Sequence, residues 1–183
     1  MWKAAFPEYA VKQAFHEQNL ERGDEHIVGA MQSDLLSRCI TSIIKPALLV
    51  CIHHKRKFVN ENDIQVGKAL NIFPVKNPPE KSGSLVDSRE FVNIVDDHMK
   101  LCIEHIKKNL NGQDLVASEY KISQETMSKL QMEVEACIRG FVGKLSSHVN
   151  GGTVSFRNFE TVMGQILGDS SYVTFDQGYV SYC

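Results

Sequence analysis

One segment, PVKNPPEKSGSLVDS at residues 74–88, divides this chain of 183 residues into halves of about equal weight, and both halves read in the same order. The segment holds three of the five prolines with glycine, serine and mixed charge, which is the composition of a linker. On each side of it, hydrophobic spacing predicts a medium helix, a loop, a long helix, a short extended loop and a short helix. A chain of this length buries one good core or two small ones.

In the first half, Pro7 suits the first turn of a helix running to about Asn19, with Phe6, Tyr9, Ala10, Ala14 and Phe15 on its apolar face. LERGDE follows as a loop. A long helix is expected from about His26 to His54, where Ile27, Met31, Leu35, Cys39, Ile43 and Ala47 recur at near-helical spacing beside Val28, Leu36 and Ile40. So wide a stripe predicts burial on two sides. Pro46 inside it predicts a kink or a break. KRKFV reads as a basic extended loop. Asn60, with Asp63 three residues on, resembles an N-cap for a helix over about Glu61 to Ile72.

In the second half, a helix over 88–110 carries Phe91, Ile94, Val95, Met99, Cys102, Ile103, Ile106 and Leu110 inward. NGQD opens a longer loop. Ser123, with Glu125 and Thr126, starts a long helix to about Val149, striped by Met127, Leu130, Val134, Cys137, Ile138, Phe141 and Leu145. After the short loop NGGTV, Ser155 caps a last helix to Leu167, with Phe159, Val162, Met163 and Ile166 inward. The tail SSYVTFDQGYVSYC alternates aromatic or β-branched residues with polar ones, as a small hairpin or an extended docking arm would.

Hydrophobic content of 43% and charged content of 23% are those of an ordinary globular protein. No apolar run is expected to span a bilayer. The start, MWKAAFPEYA, lacks the apolar core of a signal peptide, so the expectation is a protein located or assembled inside a cell, not secreted. Five cysteines at irregular spacing predict no disulfide framework. Cys39, Cys51, Cys102 and Cys137 sit in apolar helical runs as small hydrophobes, and Cys183 is terminal. The formal net charge of −2, with no lysine-rich tail, sets a limit on DNA affinity, which comes mainly from phosphate neutralisation by Lys and Arg. Any such binding must come from clustered charge.

The richest stretch for function is IHHKRKFVNENDIQV, residues 52–66. The IH-x-KR run, the seven-residue step from Arg56 to Asp63, and then DIQ resemble the second-loop signature of a core histone, closest to histone three. RGDEHIVGA, with Arg22 six residues before Val28 and eight before Ala30, is similar to the first loop of the same family. The second half resembles histone four, through IRGFV (Ile138 to Val142) and the pair Thr153 and Val154. Where that family has a basic run before this pair, the chain has Asn150, Gly151 and Gly152. Where it has the paired aspartate, the chain has Asn158. The likeness covers about residues 7–72 and 90–168, and two such units in one chain look like the fused histone doublets of large DNA viruses and a few archaea.

The resemblance implies an all-α fold in which two histone folds form an internal handshake pseudo-dimer. Its first fold would cover 1–73, a linker 74–89, the second fold 90–168 and an extended tail 169–183. It implies that Arg22 enters a minor groove, that Arg56 is the second-loop arginine with Asp63 as its ion-pair partner, and that Lys55 and Lys57 flank the phosphate path. Lys12 and Lys121 join them as candidate backbone contacts. Two loops and nearby helix N-termini on one edge offer cations and N–H groups to phosphates. An arginine in a narrow minor groove reads shape and not base identity. The arginine–aspartate clamp is absent from the second half.

The implied partners are double-stranded DNA and other histone-fold chains or virion proteins, with a virion, viral factory or nuclear location, and neither a membrane nor a small-molecule substrate. Two rival readings stay open: a virion structural or protein-interaction module that reuses the fold without wrapping DNA, and a transcription-factor-type histone-fold dimer. No enzyme is expected. The pair Gly151-Gly152 stands alone, there is no nucleophile elbow, and Asp96-Asp97 reads as a solvated helix face. His98, Cys102 and His105 share one helical face at a spacing that would suit zinc. The apolar stripe accounts for Cys102, however, and a half-buried face accounts for the histidines. The same holds for Cys51, His53 and His54. No metal or cofactor is expected.

Overall fold

Helix signals at the two ends of each half translate directly into structure. The computed structural model describes residues 5–23, 25–79, 82–109, 114–149 and 152–168, with Arg22 and Glu25 described by backbone alone. The expected tail element at 169–183 lies outside the described residues. The protein is mostly helical, and its extended segments among the described residues are four two-residue strands.

Pro7, extended at φ −61°, precedes α1 (Glu8–Glu17), where its missing N–H costs nothing. The helix buries Ala10, Val11, Ala14 and Phe15. Tyr9, expected inward, is instead 50% exposed. Its hydroxyl donates to Glu90 at 3.1 Å and accepts from the Asp87 N–H at 3.1 Å, so a polar tie to the second half outweighs burial of the ring. Strand β1 (Glu21–Arg22) follows.

The long helix is one run in three parts: α2 (Glu25–Ala30), a π-helical turn (Met31–Leu35) and α3 (Leu36–His53). A π turn loosens the carbonyl ladder. Here Gln32 uses that freedom, since its carbonyl accepts from the Phe6 N–H at 2.9 Å and its side chain donates to the Phe6 carbonyl at 2.8 Å. Pro46 does not break the helix, which continues to His53. Ile43, Ile44, Ala47 and Leu48 around it are fully buried, and α3 packs on α4, α5 and α6. Packing on several sides outweighs the roughly 3 kcal/mol penalty of an interior proline. The sequence expectation that no run could span a bilayer is corrected. By length and composition His26–His53 could cross a membrane, yet 67% of its most apolar window is buried inside the fold. Such a helix is the core of the protein.

After β2 (Phe58–Val59), α4 (Glu61–Ala69) is capped by Asn60. It stops short of the expected Ile72 because Asn71 folds back, accepting from the Phe73 N–H at 3.1 Å and donating to the Phe73 carbonyl at 3.3 Å. Gly67 lets α4 cross α3 closely, since a Cβ there would collide with the Ile43 carbonyl.

The linker is strapped to the second half. Pro74 lies on Gly140, where a Cβ would strike the Pro74 carbonyl. The Lys76 N–H donates to the Ala136 carbonyl at 3.0 Å. The Leu85 and Val86 N–H groups donate to the Glu135 carboxylate at 3.0 and 3.2 Å, and both side chains are buried. Arg139, 5% exposed, donates to Glu17 of α1 at 2.9 Å and to the Gly83 carbonyl at 3.0 Å. One buried cation therefore joins α1, the linker and α6.

The second half follows as α5 (Ser88–Asn109), a short 3-10 turn (Ala117–Glu119), β3 (Lys121–Ile122), α6 (Gln124–Ser147), β4 (Thr153–Val154) and α7 (Phe156–Leu167). Ser123 and Ser155 accept from the Thr126 and Asn158 N–H groups as N-caps.

The strands pair across the halves and in parallel. β1 lies beside β4, with Glu21 opposite Thr153 and Arg22 opposite Val154. β2 lies beside β3, with Phe58 opposite Lys121 and Val59 opposite Ile122. The loop before each long helix thus pairs with the loop after the other long helix. One core runs through both halves, from Phe6 to Met163.

Candidate nucleic-acid interface

The loop joining α3 to α4 is held from inside. The Cys51 thiol, raised from its ordinary pKa chiefly by burial, stays protonated. It donates to the Arg56 and Phe58 carbonyls at 3.1 and 3.3 Å. Lys55 takes a left-handed turn at φ 56°, and the Arg56 N–H returns to the Cys51 carbonyl at 2.9 Å. The chain then reverses, so that the Arg56 guanidinium meets Asp63 end-on, with Nη1 and Nη2 each 2.8 Å from one carboxylate oxygen. Nη1 also donates to the Phe58 carbonyl at 3.1 Å. The Asn60 N–H donates to Asp63 at 2.9 Å and the Asp63 N–H donates to Asn60 at 3.0 Å, which closes a capping box. Burial alone would push the Asp63 carboxyl up. Hydrogen bonds from Arg56 and Asn60, with the Arg56 charge, outweigh it and hold the group below its ordinary range.

This clamp makes Arg56 a fixed strut on the loop rather than a free arm. Its side chain keeps 35% of its surface open. The β2–β3 pairing then brings Lys121 alongside, its N–H donating to the Lys57 carbonyl at 3.0 Å. Lys55, Arg56, Lys57 and Lys121 therefore gather at one end of the molecule, beside the capped N-termini of α4 and α6. Carboxylates share that end. Lys57 Nζ is 3.0 Å from Glu119 and stands 4.8 Å from the centre of the Tyr120 ring. Lys129 Nζ bridges Glu61 at 2.6 Å and Glu125 at 3.9 Å. Lys55 and Lys121 are exposed.

Arg22 lies at the other end, on β1 beside Val154; its side chain lies outside the described residues. Gly23 permits this pairing, because a Cβ there would press to 2.9 Å on Thr153 and 3.0 Å on the Val154 carbonyl. Lys12, 57% exposed, forms a 3.3 Å ion pair with Glu8 on the outer face of α1. It borders an open cleft of about 590 Å³ that Leu20 and Glu21 also line, so Lys12 stands on the side of the molecule that carries β1. In the second half Asn158 accepts from the Ser155 N–H and hydroxyl at 2.9 Å each, which completes a capping box without a guanidinium. The two loop pairs are separated by the helical path from Glu25 to His53, roughly 40 Å at about 1.5 Å per residue.

Of the acidic residues in and near these loops, Glu61 stands at the basic end, Asp114 is exposed, and Asp24 and the Glu25 side chain lie outside the described residues. Sequence reasoning missed Glu119, Tyr120 and Lys129. The i,i+4 step from Glu125 to Lys129 was a legible signal for one of them. Glu119 and Tyr120 face Lys57 only because β2 and β3 pair. His98, Cys102 and His105 are buried in α5. Lys45 Nζ stands 3.2 Å from His105 Nδ1, a cation where a metal would have to approach. Among the described residues no group of three or more His, Cys, Asp or Glu is placed to hold a metal ion. No family model matches this chain, and no curated protein matches it.

Proposed function

We propose that this chain is a histone-type doublet, an internal handshake of two folds, that contacts the backbone of double-stranded DNA without reading its bases. The observation that carries the reading is the reciprocal pairing of loops, β1 with β4 and β2 with β3, each in parallel. Such pairing creates two ends of the same plan though not the same side chains, each built from two loops and a long-helix N-terminus, and helix N-termini favour phosphate. A roughly 40 Å separation is little more than one turn of duplex, about 34–36 Å, so both ends can reach one groove face. The Arg56–Asp63 clamp and the sequence likeness at residues 52–66 support the same assignment.

A second reading, a structural or protein-interaction module, draws on a specific observation as well. Glu119 and Glu61 pair with Lys57 and Lys129, leaving Lys55 and Lys121 as exposed cations of that end without an ion pair among the described residues. With a formal net charge of −2, long-range attraction to DNA is weak.

The test is binding of the purified chain to a duplex of ~150 base pairs across a salt series. The comparison proteins are Lys55→Glu with Lys121→Glu, and Arg22→Glu alone. Arg56 is left in place because its loss would undo the loop. Phosphate-driven binding predicts a log–log slope of about −0.9 per contacted phosphate, flattened by both variants. Absence of binding at low salt would refute the DNA reading and favour the assembly module.

A further inference from the structure

Phe58 leaves its ring uncovered at the basic end. Along a strand, successive side chains point to opposite faces. Val59 is 1% exposed and enters the core, so Phe58, 61% exposed, faces outward. Its partner in the parallel pairing is Lys121, and paired residues of neighbouring strands, about 4.8 Å apart, share a face. A phenyl ring and an exposed ammonium group therefore stand side by side. The backbone beneath them is fixed. The Phe58 carbonyl accepts from Arg56 Nη1 at 3.1 Å and from the Cys51 thiol at 3.3 Å, and the Lys121 N–H donates to the Lys57 carbonyl at 3.0 Å. With Val59 already seated in the core, these bonds keep the ring from turning inward. A lone exposed apolar residue is ordinary. Phe58 differs in its company, since Lys55, Lys57 and Lys121 are exposed around it and Arg56 keeps 35% of its side-chain surface open. Tyr9, also exposed, is tied through its hydroxyl to Glu90 and Asp87. Cations at that density disfavour an apolar protein partner, because charged residues are depleted from the cores of protein interfaces. A nucleic acid suits both features, with phosphates for the ammonium groups and the π-face of a base for the ring.

We propose that Phe58 is a base-stacking residue, which directs this end of the protein to DNA carrying an unstacked base, with Lys121 on the adjoining phosphate. The inference rests on the DNA reading above and goes beyond backbone contact. In an intact duplex both faces of a base are covered by its neighbours, and opening a step to admit an apolar wedge costs unstacking energy. At a bulged base the step is already open, so the ring gains its stack without that cost. Stacking tolerates any base, since each has a π-face. The preference is therefore for DNA structure and not for sequence, in keeping with an interface that reads no base edges.

The experiment measures binding of the full chain, at low salt, to an intact duplex and to the same duplex with a single unpaired thymine at its centre. Wild type should bind the bulged duplex about tenfold more tightly. It should also protect the bulged thymine from permanganate, which attacks the open face of an unstacked base. Phe58→Ala should bind both duplexes equally and leave the thymine reactive, and Phe58→Trp should keep the preference and the protection. Helical circular dichroism checks that both variants fold. Equal wild-type affinity for the two duplexes, a thymine that stays reactive in the wild-type complex, or a preference that survives in Phe58→Ala overturns the inference and leaves the backbone-binding reading standing. Binding to neither duplex overturns both. A change in the sedimentation of the DNA-free protein on Phe58→Ala would make Phe58 a protein contact, which also overturns the inference.

Discussion

Arg56 and Asp63 stand seven residues apart, one on each side of a two-residue strand, and are joined by two parallel hydrogen bonds of 2.8 Å. Asp63 is at the same time the third residue of α4, and its carboxylate closes the cap on the Asn60 N–H. One buried carboxylate thus fixes the end of a basic loop and the start of a helix. Asp63→Ala removes both ties. Loss of the cap and of a buried acceptor predicts destabilisation by about 1–3 kcal/mol, read as a lower urea midpoint with unchanged m-value. Asp63→Asn keeps one acceptor and should lose less. Equal stability of wild type and Asp63→Ala would mean that the clamp is ornamental.

Arg139 presents a harder case of the same chemistry. It is buried between Glu17 of α1 and Glu135 of α6, at 2.9 and 3.7 Å. Removing it strands two carboxylates, one of which also holds the Leu85 and Val86 N–H groups. Arg139→Ala is expected to cost about 3–5 kcal/mol and to loosen the linker, measured as faster amide exchange at Leu85 and Val86. Burial raises the Glu17 carboxyl, but hydrogen bonds from Arg139 and Ser82 lower it overall. A depressed carboxylate adds stability above its unfolded value of about 4.5, lost as the pH falls through the folded value. Arg139→Ala should abolish that contribution to acid unfolding.

Two glycines mark places where backbones touch. At Gly67 and Gly140 a Cβ would run into the Ile43 and Pro74 carbonyls, both fixed backbone. Gly67→Ala and Gly140→Ala each predict a loss of about 1–3 kcal/mol from forced separation, although alanine is the better helix former. Gly29, where nothing lies within 4 Å, is the control. Gly29→Ala should be neutral or slightly stabilising, and a thermal melt of the three variants ranks them directly.

These particulars show where sequence reasoning reaches and where it stops. Helix order, the Asn60 and Ser155 caps and the Arg56–Asp63 step were legible because each is written in residues a few positions apart. Of the kink or break that Pro46 suggested, the break does not occur, because Ile43, Ile44, Ala47 and Leu48 pack around it, which local propensity does not register. The pairing of Phe58 with Lys121 was not legible, since no local pattern encodes the register of two loops that far apart in the chain. The same holds for Glu119 beside Lys57, and for Arg139 reaching Glu17, although IRGFV drew attention to that helix. A linker composition at 74–88 hid a strap, because Leu85 and Val86 reveal their role only opposite Glu135.

A last prediction concerns pH. His105, 7% exposed on α5, lies with Nδ1 3.2 Å from Lys45 Nζ and within reach of Asn109. Burial first, then the charges of Lys45 and Lys108, lower its pKa from the usual 6.5. The folded protein therefore keeps this ring neutral while the unfolded chain protonates it near pH 6.5. In the window between the two values the unfolded state binds more protons, so stability rises with pH. His105 thus adds nothing unfavourable above about pH 6.5, and stability erodes as the pH falls from there toward the folded value, by at most about 1.4 kcal/mol per pH unit. Glu17 and Asp63, both lowered, act only below about pH 4.5, so the windows separate. Urea unfolding of wild type and His105→Gln between pH 7.5 and pH 5, a range of about one unit on each side of the histidine value, isolates the contribution. The slope should flatten in the variant, while parallel slopes would show that the Lys45–His105 contact carries no proton linkage.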